Sequence, residues 1–224
     1  MRIRFLGHAT FLITTAAGRK VITDPYEPGA FGGAIGLRPI SDQADIVTVS
    51  HAHADHGDAA SLPGHPAVYP EAGQFTVGDI ALKGVPTFHD AVRGRERGPN
   101  VVWVIGADGM QIAHLGDLGH VIDSAQAESI GPVDILMVPV GGTYTIDARD
   151  AIEVVGLLAP HIVIPMHYRV PQVTIALDPV EDFLRDLRSD RSKVIREANS
   201  SDLEIAAEDL PKQGMEIVIL RPAL

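Results

Sequence analysis

Cysteine is absent from the 224 residues of this chain. Disulfide bridges, iron–sulfur clusters and thiolate nucleophiles are therefore excluded together, and any metal ion must be bound by histidine or carboxylate side chains. Aromatic residues are also scarce at 5%, with a single tryptophan. Hydrophobic residues still make up 46% of the chain, which is the composition of an ordinary globular protein with a substantial core.

Long apolar runs and an excess of basic residues are missing as well. No window supplies the roughly 18 apolar residues that a membrane-spanning helix needs, and the N-terminus alternates Arg2 and Arg4 with apolar residues as a strand does, unlike a signal peptide. The net charge is −11, which disfavours nucleic acid and anionic membranes as partners because phosphate groups attract clustered Lys and Arg. We expect a cytoplasmic protein with a small-molecule substrate, and self-association stays open.

Strand patterns dominate the first half of the chain, and strands alternate with helices in the second half. β-branched runs between turn residues predict strands at 1–15, 19–23, 45–50, 66–69, 79–88, 100–106, 110–115, 133–139, 161–166 and 215–221. Apolar periodicity and capping residues predict helices at 57–62, 123–130, 147–159 and 179–190. Without a linker or repeat, residues 1–224 are expected to form one domain. This order of elements predicts an α+β protein with sheets packed face to face and helices outside.

Three loops are expected to form the walls of a substrate pocket. Residues 25–40 are rich in glycine and proline and predict a long ordered loop or flap. The loop at 91–99 contains the dense basic stretch 93–98, which is either a solvated hairpin tip or a contact for an anionic group of a substrate. The turn at 141–146 begins with Gly141-Gly142, which suits either a close approach of substrate to the backbone or a tight turn.

The segment IVTVSHAHADHGD at 46–58 contains three of the ten histidines directly after a predicted strand. Side chains alternate along an extended chain, so His51 and His53 are expected on the same side, with small residues between them. Asp55 and His56 follow at the expected start of a helix. Imidazoles and a carboxylate that converge at the end of a strand are typical ligands of Zn²⁺ and similar ions. The spacing therefore predicts a metal site.

The sequence HAHADH at 51–56 resembles the HxHxDH signature of the metallo-β-lactamase superfamily of hydrolases. Further segments are similar in the family's order, namely TDP at 23–25, PTFHD at 86–90, HLGDLG at 114–119 and IPMHY at 164–168. The strongest likeness is to the compact branch of metal-dependent hydrolases, which is related to ascorbate-6-phosphate lactonases. The resemblance implies a four-layer αββα sandwich with a metal site at one edge of the sheets.

The same resemblance implies a centre with two divalent metal ions. The residues at the family's ligand positions are His51, His53 and His89 for a first ion, Asp55, His56 and His167 for a second, and Asp117 as the bridge. Asp55 is implied as the proton acceptor for water, and a bridging hydroxide is implied to attack an ester, lactone, amide or phosphodiester bond. Histidine and carboxylate ligands suit Zn²⁺, Mn²⁺ and Fe²⁺ alike. We expect zinc, with manganese or iron as alternatives.

Four more residues are candidates for positions beside the site. His8 is either a buried histidine bonded to the backbone or a neighbour of the metal cleft. Asp24 is either an ordinary turn residue or a carboxylate that orients a ligand histidine. His114 is expected to support the ligands or the structure, and Tyr144 is expected to border the cleft.

The sequence leaves functions other than hydrolysis open. Di-iron redox proteins on the same fold typically have glutamate in place of the second histidine and an added flavin domain, and neither feature is present. Enzymes of the RNase Z and β-CASP kinds process nucleic acid, which the acidic charge and the lack of an inserted domain disfavour. A non-enzymatic metal-binding protein is the remaining alternative to the predicted hydrolase.

Overall fold

A computed structural model describes residues 1–188, 190 and 192–223 of the chain. The first of its two sheets contains strands β1 (Arg2–Gly7), β2 (Thr10–Thr14), β3 (Lys20–Thr23), β4 (Ile46–Thr48), β5 (Ala67–Tyr69) and β13 (Asp202–Glu204). Their order across the sheet is β13-β1-β2-β3-β4-β5. Pairing is antiparallel from β13 to β3 and parallel from β3 to β5.

The second sheet contains eight strands, numbered with the others in chain order. They are β6 (Gly73–Val77), β7 (Ile80–Phe88), β8 (Pro99–Ala107), β9 (Met110–His114), β10 (Ile135–Pro139), β11 (Ile162–Met166), β12 (Lys193–Glu197) and β14 (Met215–Ile219). Their order is β12-β14-β11-β10-β9-β8-β7-β6. Pairing is parallel from β12 to β9 and antiparallel from β9 to β6.

Helices complete the fold. They are α1 (Ala30–Gly33), α2 (Ser124–Ile130), α3 (Ala148–Leu158) and α4 (Val180–Leu187), with 3₁₀ turns at Ala59–Ser61 and Ala207–Asp209. Aspartates begin α2 and α3, because the carboxylates of Asp123 and Asp147 accept hydrogen bonds from backbone N–H groups in the first turn. Helix α2 packs against β7, and α3 packs against β10 and α4.

The two sheets enclose the hydrophobic core. Trp103 of β8 is fully buried and donates from Nε1 to the carbonyl oxygen of Val49, 3.0 Å away. The N–H of Val101 donates to the carbonyl oxygen of Ser50 over 2.9 Å. These two bonds join the end of β4 in the first sheet to β8 in the second, directly beneath residues 51–56. Strands β10 and β11 are buried along their full length, as expected for parallel strands with both faces covered.

The predicted α+β sandwich is confirmed. The bounds of one predicted strand and two predicted helices need correction. Residues 1–15 form a hairpin of two strands, because the chain turns at Gly7 and His8, both with positive φ. The helix predicted at 57–62 is only the 3₁₀ turn, since Leu62 is extended before Pro63. The segment 179–190 is helical only as far as Leu187, and residue 189 lies outside the described residues.

Three short strands were not predicted, and all three lie at edges of the sheets. Strands β6 and β12 are the outer strands of the second sheet, and β13 is an outer strand of the first. Their sequences combine few β-branched residues with glycine or charged residues. Pairing with a neighbour, which the local sequence does not encode, therefore decides their conformation. No helix within the described residues is both long and apolar enough to cross a membrane.

Candidate metal centre

The seven predicted ligands meet at one edge of the molecule, where four strands end. The segment 51–56 follows β4, whereas single ligands follow β7, β9 and β11. The first of these strands belongs to the first sheet and the other three to the second. All seven side chains except that of His53 are buried. In the order of the chain, the residues are His51, His53, Asp55, His56, His89, Asp117 and His167.

Asp55 and His56 lie in a turn and not at the predicted start of a helix, since the N–H groups of His56 and Gly57 donate to the carbonyl oxygen of His53.

The ligand atoms form two clusters. Ring nitrogens of His51, His53 and His89 lie within 4.8 Å of one another. A second cluster with the same mutual spacing contains Asp55, His56 and His167, and His8 joins it. The two clusters correspond to the two ligand sets implied by the resemblance, with His8 as an added member of the second.

Asp117 lies between the two clusters and faces each with a different oxygen. Its Oδ2 is 3.3 Å from Nε2 of His89 and 3.7 Å from Nε2 of His51. Its Oδ1 is 3.1 Å from Nε2 of His56 and 3.4 Å from Nε2 of His167. One carboxylate is therefore placed to bind an ion in either cluster.

Asp24 fixes the orientation of one histidine in each cluster. Nδ1 of His56 donates to Oδ2 of Asp24 over 2.9 Å, and both the N–H and the hydroxyl of Ser50 donate to the same carboxylate. The Ser50 oxygen lies 2.9 Å from Nδ1 of His51 and, having given its proton to Asp24, accepts a hydrogen bond there. Both imidazoles thus carry their proton on Nδ1. Nε2 of His56 then faces Oδ1 of Asp117, and Nε2 of His51 accepts from Nδ1 of His53 over 2.9 Å. Asp24 therefore matches the second of its two interpretations, a carboxylate that orients ligand histidines.

The arrangement of donor atoms fits a divalent cation. Nε2 of His56 and Oδ1 of Asp117 are buried, have no hydrogen-bond partner in the protein and lie 3.1 Å apart. With the His56 proton on Nδ1, two lone pairs face each other away from water, which is unfavourable unless a cation or a proton lies between them. Histidine and carboxylate donors suit borderline ions such as Zn²⁺, Mn²⁺ and Fe²⁺. The residues present therefore fit a metal centre.

The electrostatics of the site agree with this fit. Burial lowers the pKa of His51 and of His167 to about 3, and it lowers the pKa of His89 as well. Burial opposes ionisation of Asp117, but the imidazoles of His167 and His56 outweigh it and hold the pKa of Asp117 well below its usual range. Burial also opposes a charge on His56, yet Asp117 and Asp55 raise the pKa of His56 well above its usual value. The cluster thus attracts a positive charge where a metal ion would sit.

His8 and His114 lie in different environments. Nε2 of His8 is 2.9 Å from Oδ2 of Asp55, and its Nδ1 is buried without a partner. His8 is therefore a neighbour of the metal cleft and not a histidine with its ring bonded to the backbone. Nε2 of His114 donates to the carbonyl oxygen of Ala9 over 2.7 Å, and its Nδ1 accepts from the N–H of Gly116. His114 thus supports the structure beneath the ligands.

Two supporting polar residues were missed by the sequence analysis. Ser50 links Asp24 to His51, as described above. Asn100 is fully buried in β8, where its Oδ1 accepts from the N–H of Asp117 and its amide group donates to Thr87 and to the carbonyl oxygen of Leu115. An asparagine at the start of an apolar strand is the signal that could have identified this role, because a buried amide must find several partners.

Close backbone contacts require glycine beside two of the ligands. A Cβ on Gly119 would lie 2.3 Å from the carbonyl carbon of His89, and one on Gly141 would lie 2.1 Å from the carbonyl oxygen of His167. Such distances leave no room for a side chain. The backbone that approaches Gly141 is therefore the protein's own and not a substrate. Of the two interpretations of Gly141-Gly142, the turn fits, since the N–H of Thr143 donates to the carbonyl oxygen of Gly141.

A cavity of about 400 Å³ opens above the two clusters. Its floor contains five predicted ligands, namely His53, Asp55, His89, Asp117 and His167. Its walls are formed by Phe31, Arg97, Tyr144 and Ile175. The first three come from the three loops expected to line a pocket, whereas Ile175 belongs to a segment that the sequence did not single out.

Comparison with known proteins places this architecture in a family. The model of the beta-lactamase superfamily domain matches residues 2–167. The UPF0173 metal-dependent hydrolase of Thermococcus kodakarensis is 32% identical over 92% of this chain and 100% of its own length, and that of Thermococcus onnurineus is 30% identical over 87% and 95%. A crystal structure from Thermotoga maritima, assigned to the zinc-dependent hydrolases of the metallo-beta-lactamase superfamily, is 36% identical, with a TM-score of 0.75 and 98% of both chains covered. This chain therefore belongs to the UPF0173 family of metal-dependent hydrolases in the metallo-beta-lactamase superfamily.

Proposed function

We propose that this protein is a hydrolase that uses two divalent metal ions, zinc in the first instance, to cleave an ester, lactone, amide or phosphodiester bond. The observation that carries the proposal is the position of Asp117, whose two oxygens face two separate groups of histidines. Bound ions would lower the pKa of water and polarise the bond to be cleaved. The first cluster would hold one ion and the second cluster the other.

The remaining polar groups have roles that follow from their contacts. Asp24 and Ser50 hold His56 and His51 with their Nε2 atoms directed at the centre, so these ligands are oriented before an ion arrives. Asn100 fixes the backbone of Asp117. These supports reduce the reorganisation that binding an ion would otherwise require.

Asp55 is proposed as the residue that orients water and accepts its proton. Its carboxylate lines the cavity beside the second cluster. Its Oδ2 is held by His8 at 2.9 Å, which restricts the side chain to one position.

The size of the cavity supports a small molecule as substrate. A volume of about 400 Å³ is near the lower end of the range for sites that bind small ligands. The chain's net charge of −11 also argues against extended binding of nucleic acid.

Metal analysis combined with turnover tests the proposed function. We expect two equivalents of metal after reconstitution of the purified protein, together with hydrolysis of at least one class in a panel of lactones, esters, thioesters, amides and phosphodiesters. His65→Ala, which removes an exposed histidine of a surface turn, is the matched control and should keep both metal and turnover. One equivalent or less after reconstitution would contradict the two-metal proposal.

A further inference from the structure

Arg97 and Tyr144 meet at the wall of the cavity. The guanidinium carbon of Arg97 lies 3.6 Å from the centroid of the Tyr144 ring, and both side chains line the cavity. Tyr144 is 53% exposed, so the stacked pair faces the opening. Within the described residues, Arg97 has no carboxylate partner at ion-pair distance. A guanidinium stacked by its face leaves the N–H groups of its edge free for another ligand.

The loop that carries Arg97 has a defined shape. The carboxylate of Asp90 accepts four backbone hydrogen bonds, with Oδ1 bound to the N–H groups of Val92 and Gly94 and Oδ2 bound to those of Glu96 and Arg97, at 2.7 to 3.0 Å. The N–H of Arg97 is thus itself fixed. A solvated hairpin tip needs no such internal acceptor, so this loop is built to hold a particular conformation.

The surroundings of Arg97 combine apolar walls with an acidic floor. Phe31 and Ile175 contribute apolar surface, and Phe31 is 57% exposed. Asp55 and Asp117 contribute the carboxylates of the floor. Among the described residues that line the cavity, Arg97 is the only lysine or arginine. Bound ions would balance the carboxylates of the floor, so Arg97 is the side chain that can attract a separate anionic group at the wall.

We propose that Arg97, stacked on Tyr144, binds an anionic group of the substrate, a carboxylate or a phosphate, that is separated from the scissile bond by an apolar segment. The apolar segment would lie against Phe31 and Ile175, and the fork of the guanidinium would bind the two oxygens of the anion. The substrate class is then an acyl or aryl ester, lactone or amide with a remote negative charge. The kind of bond in this substrate class rests on the proposed function, in which the protein is a hydrolase.

Binding of paired hydroxamates to the metal-loaded protein tests the subsite without turnover. One series ends in a carboxylate (the monohydroxamates of succinic, adipic and suberic acids), and the matched series ends in a methyl group (butano-, hexano- and octanohydroxamate). At the best chain length, the wild-type protein should bind the carboxylate member about 10-fold more tightly, a typical effect of one charge-assisted pair. Arg97→Gln should lose this preference and keep its affinity for the methyl series.

Arg95→Gln is the control, because Arg95 lies on the same loop, carries the same charge and does not line the cavity. It should keep the preference for the carboxylate series. The proposal is overturned if the wild-type protein shows no preference at any chain length, or if Arg95→Gln reduces the preference as much as Arg97→Gln. Phosphonate-ended members distinguish phosphate from carboxylate as the favoured anion. Failure to hydrolyse any substrate would contradict the proposed function alone, since the binding preference does not depend on turnover.

Discussion

Asp24 contacts both halves of the metal centre through short hydrogen bonds. It binds His56 directly and reaches His51 through the hydroxyl of Ser50. Burial opposes its charge, but the imidazoles of His114 and His56 outweigh that cost and lower the pKa of Asp24. The carboxylate of Asp24 is fully buried, and its backbone has a φ of +41°. Both features are energetically costly, which is consistent with a role in the site.

Asp24→Asn tests that role at the scale of one residue. The amide would replace one accepting oxygen by a donor, so the His56 and Ser50 protons would lose a partner. We expect metal affinity to fall by about 10- to 100-fold, as for other changes to groups that orient ligands. Competition with a chelator measures this affinity. Asp79→Asn, on the exposed surface, is the matched control, and an equal loss in both variants would contradict the role.

The sequence could predict the candidate ligands and name Asp24 as a candidate support, whereas Ser50 and Asn100 and the partners of Asp24 could not be predicted. HAHADH is a local pattern, and His89, Asp117 and His167 follow strands in the order of the family. The role of Asp24 depends on its distance to His56, which is 32 positions away in the chain. The sequence around Asn100 does not show that this residue is buried in β8 or that it contacts Asp117. Contacts made only after the sheets pack are not encoded in any local spacing.

At the scale of elements, the site depends on loops that pass very close to the ends of strands. The segment after β9 crosses the end of β7, where the N–H of Gly119 donates to the carbonyl oxygen of Phe88 over 3.0 Å. This crossing brings Asp117 and His89 together. The hairpin β1–β2 places His8 in the same way, with its carbonyl oxygen bound to the N–H of His167 at 2.8 Å. The short strands at the sheet edges take no part in the candidate site, so the prediction of its residues did not depend on them.

Gly119→Ala tests the crossing of these two loops. A Cβ would lie 2.3 Å from the His89 backbone, so the loops must separate, at a cost of about 1–3 kcal/mol for overpacking. We expect a lower free energy of unfolding in denaturant and weaker metal binding. Gly156→Ala in α3 has open space around its Cβ and should be stabilising by about 0.5–1 kcal/mol. Stability equal to wild type in Gly119→Ala would show that the loops have more room than the structure indicates.

Asp90, which holds the loop that carries Arg97, should make the stability of the protein depend on pH. Burial opposes the charge on Asp90, but the four backbone N–H groups outweigh it and lower the pKa of Asp90 to about 2, from an ordinary value of 3.8. Because the folded pKa is the lower one, the carboxylate stabilises the loop fully above about pH 4 and loses this effect as the pH falls towards 2. The difference in unfolding free energy between wild type and Asp90→Asn should therefore shrink between pH 4 and pH 2. A difference that is constant with pH would contradict this account.

At the scale of the whole molecule, the candidate metal centre lies between loops of the two sheets. His8, His51, His53, Asp55 and His56 belong to loops of the first sheet, and His89, Asp117 and His167 belong to loops of the second. Two bound ions would connect these loops and balance the carboxylates buried between them. The α+β architecture was predictable because it depends on the order of elements, whereas the cavity walls required the final positions of distant loops.

Metal loading should therefore stabilise the entire fold. An ion that binds only the native state raises its stability by mass action, by about 4 kcal/mol when its concentration exceeds the dissociation constant 1,000-fold. We expect a higher melting temperature for the metal-loaded protein than for the chelator-treated protein. The difference should shrink in Asp117→Ala. Equal melting temperatures in the two forms of the wild-type protein would contradict a metal centre that links the sheets.

Metal stoichiometry after reconstitution of three variants tests the central claim, that Asp117 serves two ions. His89→Ala and His167→Ala each remove a ligand from one cluster, so each variant should keep one equivalent of metal. Asp117→Ala removes the shared ligand and should fall below one equivalent, while the wild-type protein binds two. If Asp117→Ala instead retains two equivalents, the carboxylate between the clusters is not a bridging ligand and the account is contradicted.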